Sequence, residues 1–258
     1  MFVTTAGRTN QEMIEAAKNV ALELGIEYIP RQKRSINDLT NEQSSDCIVA
    51  GKERLELFRK ENGSFPFFFH PNSAMFRIKR LQMNEHDPFV EATGLQKGMS
   101  LLDCTLGLAS DAIVASFVIG PEGKVTGIEA QKYLSYVVKQ GLRTWDSNLT
   151  AMNDAMQRVE VLHDKSLTFL KSLPDESYDC VYFDPMFDES ILESDGIKAL
   201  GQLALHDDLS EESVREALRV ARSRVVLKDH YKSTRFERFG FKTIRRKTSK
   251  FHFGFFEK

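Results

Sequence analysis

A chain of 258 residues, 41% hydrophobic and 28% charged, has the composition of a folded globular protein and enough length to bury a core without staples, which excludes a disordered chain. No apolar run approaches the roughly 18 residues of a membrane helix, and Met1–Thr5 lacks the basic-then-apolar form of a signal peptide, so no membrane partner and no secretion are expected. The net charge of −2 is unevenly spread: Arg219–Lys258 holds 13 Lys or Arg against three acids, and the remainder 22 basic against 34 acidic groups, an asymmetry that suggests a polyanion-facing surface or a solvated sheet edge.

In chain order, residues 2–5 read as a strand, and Thr9-Asn10-Gln11-Glu12 has the form of a capping box before a helix at Met13, Ile14, Ala17, Val20, Ala21 and Leu24, ended by Gly25. Ile26–Ile29 is a strand stopped by Pro30, and residues 31–45 a polar loop with a short helical turn. Cys47–Ala50 and Glu53–Phe58 form a hairpin, and Ser64–Phe69 a third strand after the Asn62-Gly63 turn. A small α/β module is therefore expected over residues 1–75, and a larger domain over 76–258. His70–Arg80 is basic with apolar residues interleaved; it is a linker helix with solvated charges or a phosphate contact, and Arg77 and Arg80 stand as substrate-binding candidates on the second reading. Residues 86–97 read as a helix.

From Leu101 strands and helices alternate regularly. Leu101–Asp103, Lys124–Glu129, Arg158–His163, Asp179–Asp184 and Arg224–Lys228 are the strands; Phe241–Arg245 and Lys250–Phe256 close the chain as an antiparallel pair. This pattern implies a doubly wound, mostly parallel Rossmann-like α/β sheet, with ligands at the carboxyl ends of its strands. Cys47, Cys104 and Cys180 are odd in number and include no CxxC pair, which argues against a disulfide framework or structural zinc and for a reducing cytoplasm; Cys104 and Cys180 read as small buried hydrophobes.

Asp103, Glu129, Asp164 and Asp184 each close a strand, 26, 35 and 20 residues apart, so four carboxylates gather along one sheet edge. One such Asp is usually a turn former; four in succession point to a ligand. Glu129 suits the paired hydroxyls of a ribose, in either a nicotinamide or another adenosine cofactor. The loop Asp103-Cys104-Thr105-Leu106-Gly107-Leu108-Ala109 has small residues where backbone must approach a ligand. It is not GxGxxG, and its carboxylate would repel a pyrophosphate but attract an ammonium beside a sulfonium, which favours S-adenosylmethionine. Asp184-Pro185-Met186-Phe187 suits methylation of an exocyclic base amine: Asp184 accepts one N–H, the Pro185 carbonyl the other, and Phe187 stacks on the extruded base. Phe187 packed on the core is the alternative.

The loop Asp103–Asp111, Asp164-Lys165-Ser166-Leu167, Val181–Phe187 and Arg224–Lys228 resemble class I S-adenosylmethionine-dependent methyltransferases, and more narrowly the ribosomal RNA small subunit methyltransferase J family, as do Glu53–Leu57 and Ala74–Arg80. The resemblance implies methyl transfer to the N2 amine of a guanine in 16S rRNA, on naked RNA or on the small ribosomal subunit. It implies cofactor contacts for Ser110 and Asp111, for Ala130 after Glu129, for Lys165, Ser166 and Asp184, and for Asp164 near the adenine amino group. Lys228 would meet a phosphate or the target base. Ala109 stands where the family usually has glycine, and Asp188 where a proline is common. The chemistry needs no metal, and His70, His163, His206 and His230 show no ligand spacing. The other readings are a methyltransferase for an amine in tRNA, DNA or a small molecule, a non-catalytic RNA-binding protein on this fold, and, least favoured by the loop, a nicotinamide dehydrogenase. The basic C-terminal stretch, with Phe236, Phe239, Phe241 and Phe251 interleaved, would meet RNA phosphates.

Overall fold

The computed structural model describes residues 1–60, 66–185, 209–247 and 249–258; Phe187 and the segment 188–208 lie outside them. The chain divides into two compact units: Met1–His70 with Tyr136–Trp145, and Pro71–Ser135 with the described residues from Asp146 onward.

The first unit carries β1 (Phe2–Thr5), α1 (Gln11–Leu24), β2 (Glu27–Tyr28), α2 (Ile36–Glu42), β3 (Cys47–Ala50), β4 (Leu55–Phe58) and β5 (Phe67–Phe68). Its sheet runs β2-β1-β3-β4-β5, with β1 parallel to both neighbours and β3, β4 and β5 antiparallel. The α1 cap differs from the expected box: Asn10, one residue nearer the helix than Thr9, accepts the Met13 N–H through its side chain. Either residue type caps well, and position decides. A reciprocal box does form at Ser35 and Asp38, opening α2 inside the stretch expected to be mostly loop. Phe2, Ile29, Leu39, Cys47 and Val49 make the apolar cluster of this unit.

In chain order the remaining elements are α3 (Asn72–Gln82), α4 (Pro88–Thr93), β6 (Ser100–Asp103), α5 (Ser110–Ile119), β7 (Lys124–Glu129), α6 (Lys132–Thr144), α7 (Thr150–Gln157), β8 (Val159–His163), α8 (Ser166–Ser172), β9 (Tyr178–Phe183), α9 (Glu211–Val220), β10 (Ala221–His230), α10 (Arg235–Phe239), β11 (Lys242–Ile244) and β12 (Phe251–Glu257). The sheet order is β11-β12-β10-β9-β6-β7-β8. Strands β6 to β10 are parallel, and β12 inserts antiparallel between β10 and β11. From β6 the chain winds first to β7 and β8, then returns to place β9 on the other side. That reversal is a topological switch point, the place where open α/β sheets hold ligands.

Near the C-terminus the rings and cations of the basic stretch are placed unevenly. Phe236 and Phe241 are buried in the main core, with Phe239 packed against it, so these rings are not offered to RNA. The reason is Gly254: a Cβ there would lie 2.6 Å from the Phe236 ring and 2.8 Å from Phe241, so the missing side chain admits both. Among the described residues at least five of the 13 cations of this stretch are matched by acids, in the pairs Arg219–Asp175, Arg222–Asp179, Arg224–Glu257, Arg235–Asp229 and Lys258–Glu176. All three cysteines are buried free thiols, and burial pushes the pKa of each upward. Among the described residues no helix is long and apolar enough to cross a membrane, and no cluster of three or more His, Cys, Asp or Glu is arranged to hold a metal ion.

Candidate active site at the carboxyl edge of the sheet

At the switch point Asp103 pairs in register with Tyr182 of β9, which brings the ends of β6 and β9, and so Asp103 and Asp184, side by side. The loop after β6 is held over β7. The Leu106 N–H donates to the Ile128 carbonyl at 3.1 Å, and the Leu106 side chain occupies the space a Cβ on Gly127 would need. Asp103 is buried, and its Oδ1 accepts the Thr105 N–H at 3.0 Å. Burial, reinforced by the nearby charges of Asp111 and Asp184, pushes its carboxyl up to about 8, against the Thr105 bond and Lys228. Glu129, at the end of β7, is also buried, yet both its oxygens are fixed: Oε2 accepts the Gly107 N–H at 3.2 Å and Oε1 the Gln131 N–H at 2.9 Å. Burial raises its pKa, with those bonds opposing.

A second group of charges lies across the switch point. Lys228 Nζ donates to Asp184 Oδ2 at 2.6 Å and to Asp111 Oδ2 at 3.2 Å. Asp111 also accepts the Tyr182 hydroxyl at 2.8 Å and Arg77 Nη1 at 2.5 Å. Arg77 in turn grips Asp87, the N-cap of α4, through Nε at 2.8 Å and Nη2 at 3.0 Å. Burial alone would raise Asp111, but Lys228 and Arg77 hold it well below the usual carboxylate range. Asp184 is shifted upward, by burial and by Asp111, against the attraction of Lys228. Lys228 and Arg77 are held charged by their carboxylates despite burial. The Asp184 backbone N–H donates to Thr105 Oγ1 at 2.6 Å, so the loop after β6 also fixes the start of the segment after β9.

This geometry can be set beside known proteins. Residues 32–253 match the family described as "Putative SAM-dependent methyltransferase". The chain belongs to that family: it is a SAM-dependent methyltransferase. It is 46% identical over 253 residues, 98% of both chains, to the "Uncharacterized protein YpiP" of Bacillus subtilis (strain 168). It is 26% identical over 196 residues, 73% of this chain and 77% of the relative, to the "Ribosomal RNA small subunit methyltransferase J" of Buchnera aphidicola subsp. Schizaphis graminum. The crystal structure of a SAM-dependent methyltransferase from Neisseria gonorrhoeae shares the fold, with a TM-score of 0.62 at 15% identity over 100% of this chain and 96% of that one.

The donor and acceptor chemistry of this methyltransferase fits its cofactor, S-adenosylmethionine. Besides its carboxylate and adenine, the cofactor presents an ammonium, a sulfonium and two ribose hydroxyls, which are cationic or hydrogen-bond donating. What the edge presents is buried carboxylate. Burial raises the proton affinity of Asp103, while Lys228 and Arg77 are already engaged by other acids. Glu129 is oriented beside Gly107, at the end of the next strand. Asp164 closes β8 half-buried, its N–H on the Glu129 carbonyl at 3.3 Å, and its Oδ1 accepts the Lys165 N–H at 2.7 Å. Ser166 begins α8, exposed Lys165 is its N-cap, and the Ala130 carbonyl contacts His163 Nε2 at 3.1 Å. Ser110 begins α5 after Ala109, whose φ of 60° is left-handed.

The substrate candidates are placed unevenly. Asp184, Pro185 and Lys228 come together, and Phe187 lies outside the described residues. Arg77 does not face solvent phosphates; both edges of its guanidinium are taken by Asp87 and Asp111. Arg80 is exposed and paired with exposed Glu85 at 2.7 Å, an interaction worth little. Two participants were not singled out from sequence. Asp87 carries the signal of an Asp-Pro helix start, and the Tyr182 hydroxyl that of a polar atom in a buried strand, which needs a partner.

Proposed function

We propose that this methyltransferase acts on the exocyclic N2 amine of a guanine in small-subunit ribosomal RNA. The observation that carries the reading is Asp184, fixed at both ends: its N–H on Thr105 Oγ1, its Oδ2 on Lys228 Nζ. An exocyclic amine is a poor nucleophile because its lone pair is delocalised into the ring. A carboxylate that accepts one N–H, with the Pro185 carbonyl accepting the other, turns the lone pair out of conjugation. Among the described residues Lys228 bonds Asp184 through Oδ2, and Oδ1 would accept from the amine. S-adenosylmethionine, when bound, supplies an electrophilic methyl group.

After transfer the amine carries an extra proton. Asp184, whose burial and proximity to Asp111 raise its proton affinity, receives it and passes it to water, while Lys228 stays charged throughout. The side chain of Asp184 keeps 24% of its surface exposed, which leaves the carboxylate open to an incoming base. Asp103 would hold the cofactor's ammonium, Glu129 its ribose hydroxyls and Asp164 its adenine amine. The rRNA acceptor is supported by the relatives named ribosomal RNA small subunit methyltransferase J and by the Asp-Pro-Met-Phe sequence at residues 184–187.

The test is transfer of labelled methyl from S-adenosylmethionine to unmodified 16S rRNA and to assembled small subunits. Label is expected at a guanine N2 in one of them. Asp184→Ala should lose about a thousandfold in rate, the scale of removing one preorganised group at a reacting centre, and keep its affinity for S-adenosylhomocysteine. Unchanged turnover in that variant would sink the mechanism; label on tRNA or DNA alone would sink the acceptor.

A further inference from the structure

Beside the Lys228–Asp184 pair the sheet edge continues as a run of rings and cations. Antiparallel pairing sets His230 opposite Phe251 and Asp229 opposite His252, at the end of β10 that adjoins Asp184. The Phe251 ring lies 6.0 Å from Lys228 Nζ. His230 stands 6.5 Å from Phe251 and 4.6 Å from Tyr231, and Tyr231 stands 6.1 Å from His252. Lys232 Nζ sits 5.6 Å over the Tyr231 ring. Two hydrogen bonds tie this surface together: the Tyr231 N–H donates to the Lys250 carbonyl at 2.9 Å, and the Arg246 N–H to the His252 ring Nδ1 at 3.2 Å. Tyr231 is 49% exposed, unlike Phe236 and Phe241, which fill the core. The β11–β12 turn brings Arg245, Arg246, Lys247 and Lys250 to this same edge, and from His230 to Phe256 Glu237 is the one acid.

We propose that this surface is the bed for the single-stranded RNA that flanks the methylated base. The inference rests on the rRNA reading and adds where the RNA lies. Bases stack on Tyr231 and on the His230–Phe251 pair, and phosphates meet Lys232, Arg245, Arg246, Lys247 and Lys250. A single strand fits better than a duplex for two reasons. Every base has a face to stack on an aromatic ring, and a base whose amine is to be methylated must leave its stack, which is least costly where its neighbours are unpaired. The surface begins one side chain away from Asp184, so a nucleotide next to the extruded guanine reaches it without a gap in the chain.

The experiment measures binding of a fluorescein-labelled single-stranded RNA of about ten nucleotides by anisotropy across a salt series, for the wild type, Tyr231→Ala, Tyr231→Trp and the double variant Arg245→Glu/Lys247→Glu. Each variant is first shown to bind S-adenosylhomocysteine as the wild type does. Tyr231→Ala should weaken RNA binding about tenfold, and Tyr231→Trp should restore it. The double variant should flatten the slope of log affinity against log salt by at least about 1.4, two phosphate contacts at roughly 0.7 each. Wild-type affinity and slope in both Tyr231→Ala and the double variant overturn the proposal, as does a preference for the matching duplex. The rRNA reading is judged separately by methyl transfer: if the wild type labels rRNA and these variants bind it unchanged, the surface alone is wrong. If the variants lose RNA binding and no rRNA is labelled, the surface stands and the acceptor is another RNA.

Discussion

The two sides of the switch point hold carboxylates at the same sheet edge by different means. On the β6–β7 side the main chain does the holding: Asp103 is bonded by the Thr105 N–H, and Glu129 by the N–H groups of Gly107 and Gln131. On the β9–β10 side long side chains do it. Asp184 and Asp111 share Lys228, and Arg77 ties Asp111 to Asp87. Backbone donors are fixed once the loop folds and carry only partial charge, so Asp103 keeps a strong attraction for an added cation. Whole cations from distant elements neutralise their partners, so that side is stabilised before any ligand arrives. On the proposed function, the first side would take the cationic ligand and the second would be a rigid support for the reaction at Asp184.

The largest effect expected from breaking this contrast is at Arg77. Arg77→Met leaves Asp87 buried without its cation and removes one of the two that hold Asp111, and removing one partner of a buried pair costs about 3–5 kcal/mol. For a chain of this size Tm should fall on the order of 10 °C, read by thermal unfolding. RNA affinity measured well below that Tm should stay near the wild-type value. A stable variant with weakened RNA binding would restore Arg77 to the role of phosphate ligand.

That reversal of Arg77's role marks where sequence reading stops. The strand-end acids Asp103, Glu129, Asp164 and Asp184 were legible because apolar runs and their spacing fix where parallel strands end, and a strand end on a doubly wound sheet has a known location. The partners of Arg77 are 10 and 34 residues further along, on two other helices, and nothing in an alternating basic and apolar helix says which charge faces inward. Lys228 was expected to end its strand, which instead runs on to His230, and its bonds to residues 44 and 117 positions away were not legible. Phe236 and Phe241 looked like part of a basic aromatic surface until Gly254 supplied the space that buries them. Local signals locate the main-chain half of the site; the side-chain half depends on which elements become neighbours.

The next effect in size tests the poised side through pH. Asp103 sits near a pKa of about 8 in the free protein, so at pH 6 to 7 most molecules carry it protonated. A cofactor ammonium needs the ionised form. Binding therefore expels a proton, and affinity should rise with pH by up to about tenfold per unit, levelling near pH 8, by proton linkage. Calorimetry of S-adenosylhomocysteine at pH 6 to 8, in two buffers of different ionisation enthalpy, should show release approaching one proton per molecule bound. Asp103→Asn should weaken binding and abolish the release. A flat profile in the wild type would place the ammonium elsewhere.

The smallest effect concerns the residue that departs from the resembled family. Ala109 holds a left-handed φ of 60° at the start of α5, where a side chain costs about 1–2 kcal/mol relative to a right-handed conformation. Its methyl is fully buried, which returns about 0.8 kcal/mol, and alanine restricts the unfolded chain more than glycine does, by about 0.4–1 kcal/mol. These contributions nearly cancel. Ala109→Gly should therefore change unfolding free energy by less than about 1 kcal/mol and leave S-adenosylhomocysteine affinity unaltered, because the loop's ties through Leu106 and Gly107 are untouched. Ala109→Val should behave differently: a β-branched side chain tolerates that φ poorly, and two more carbons at a fully buried position force the packing around it to shift, so both stability and cofactor affinity should fall. If glycine instead cost more than about 1 kcal/mol, the methyl packing would outweigh the backbone strain, and the alanine would be part of how this loop is held rather than a neutral replacement.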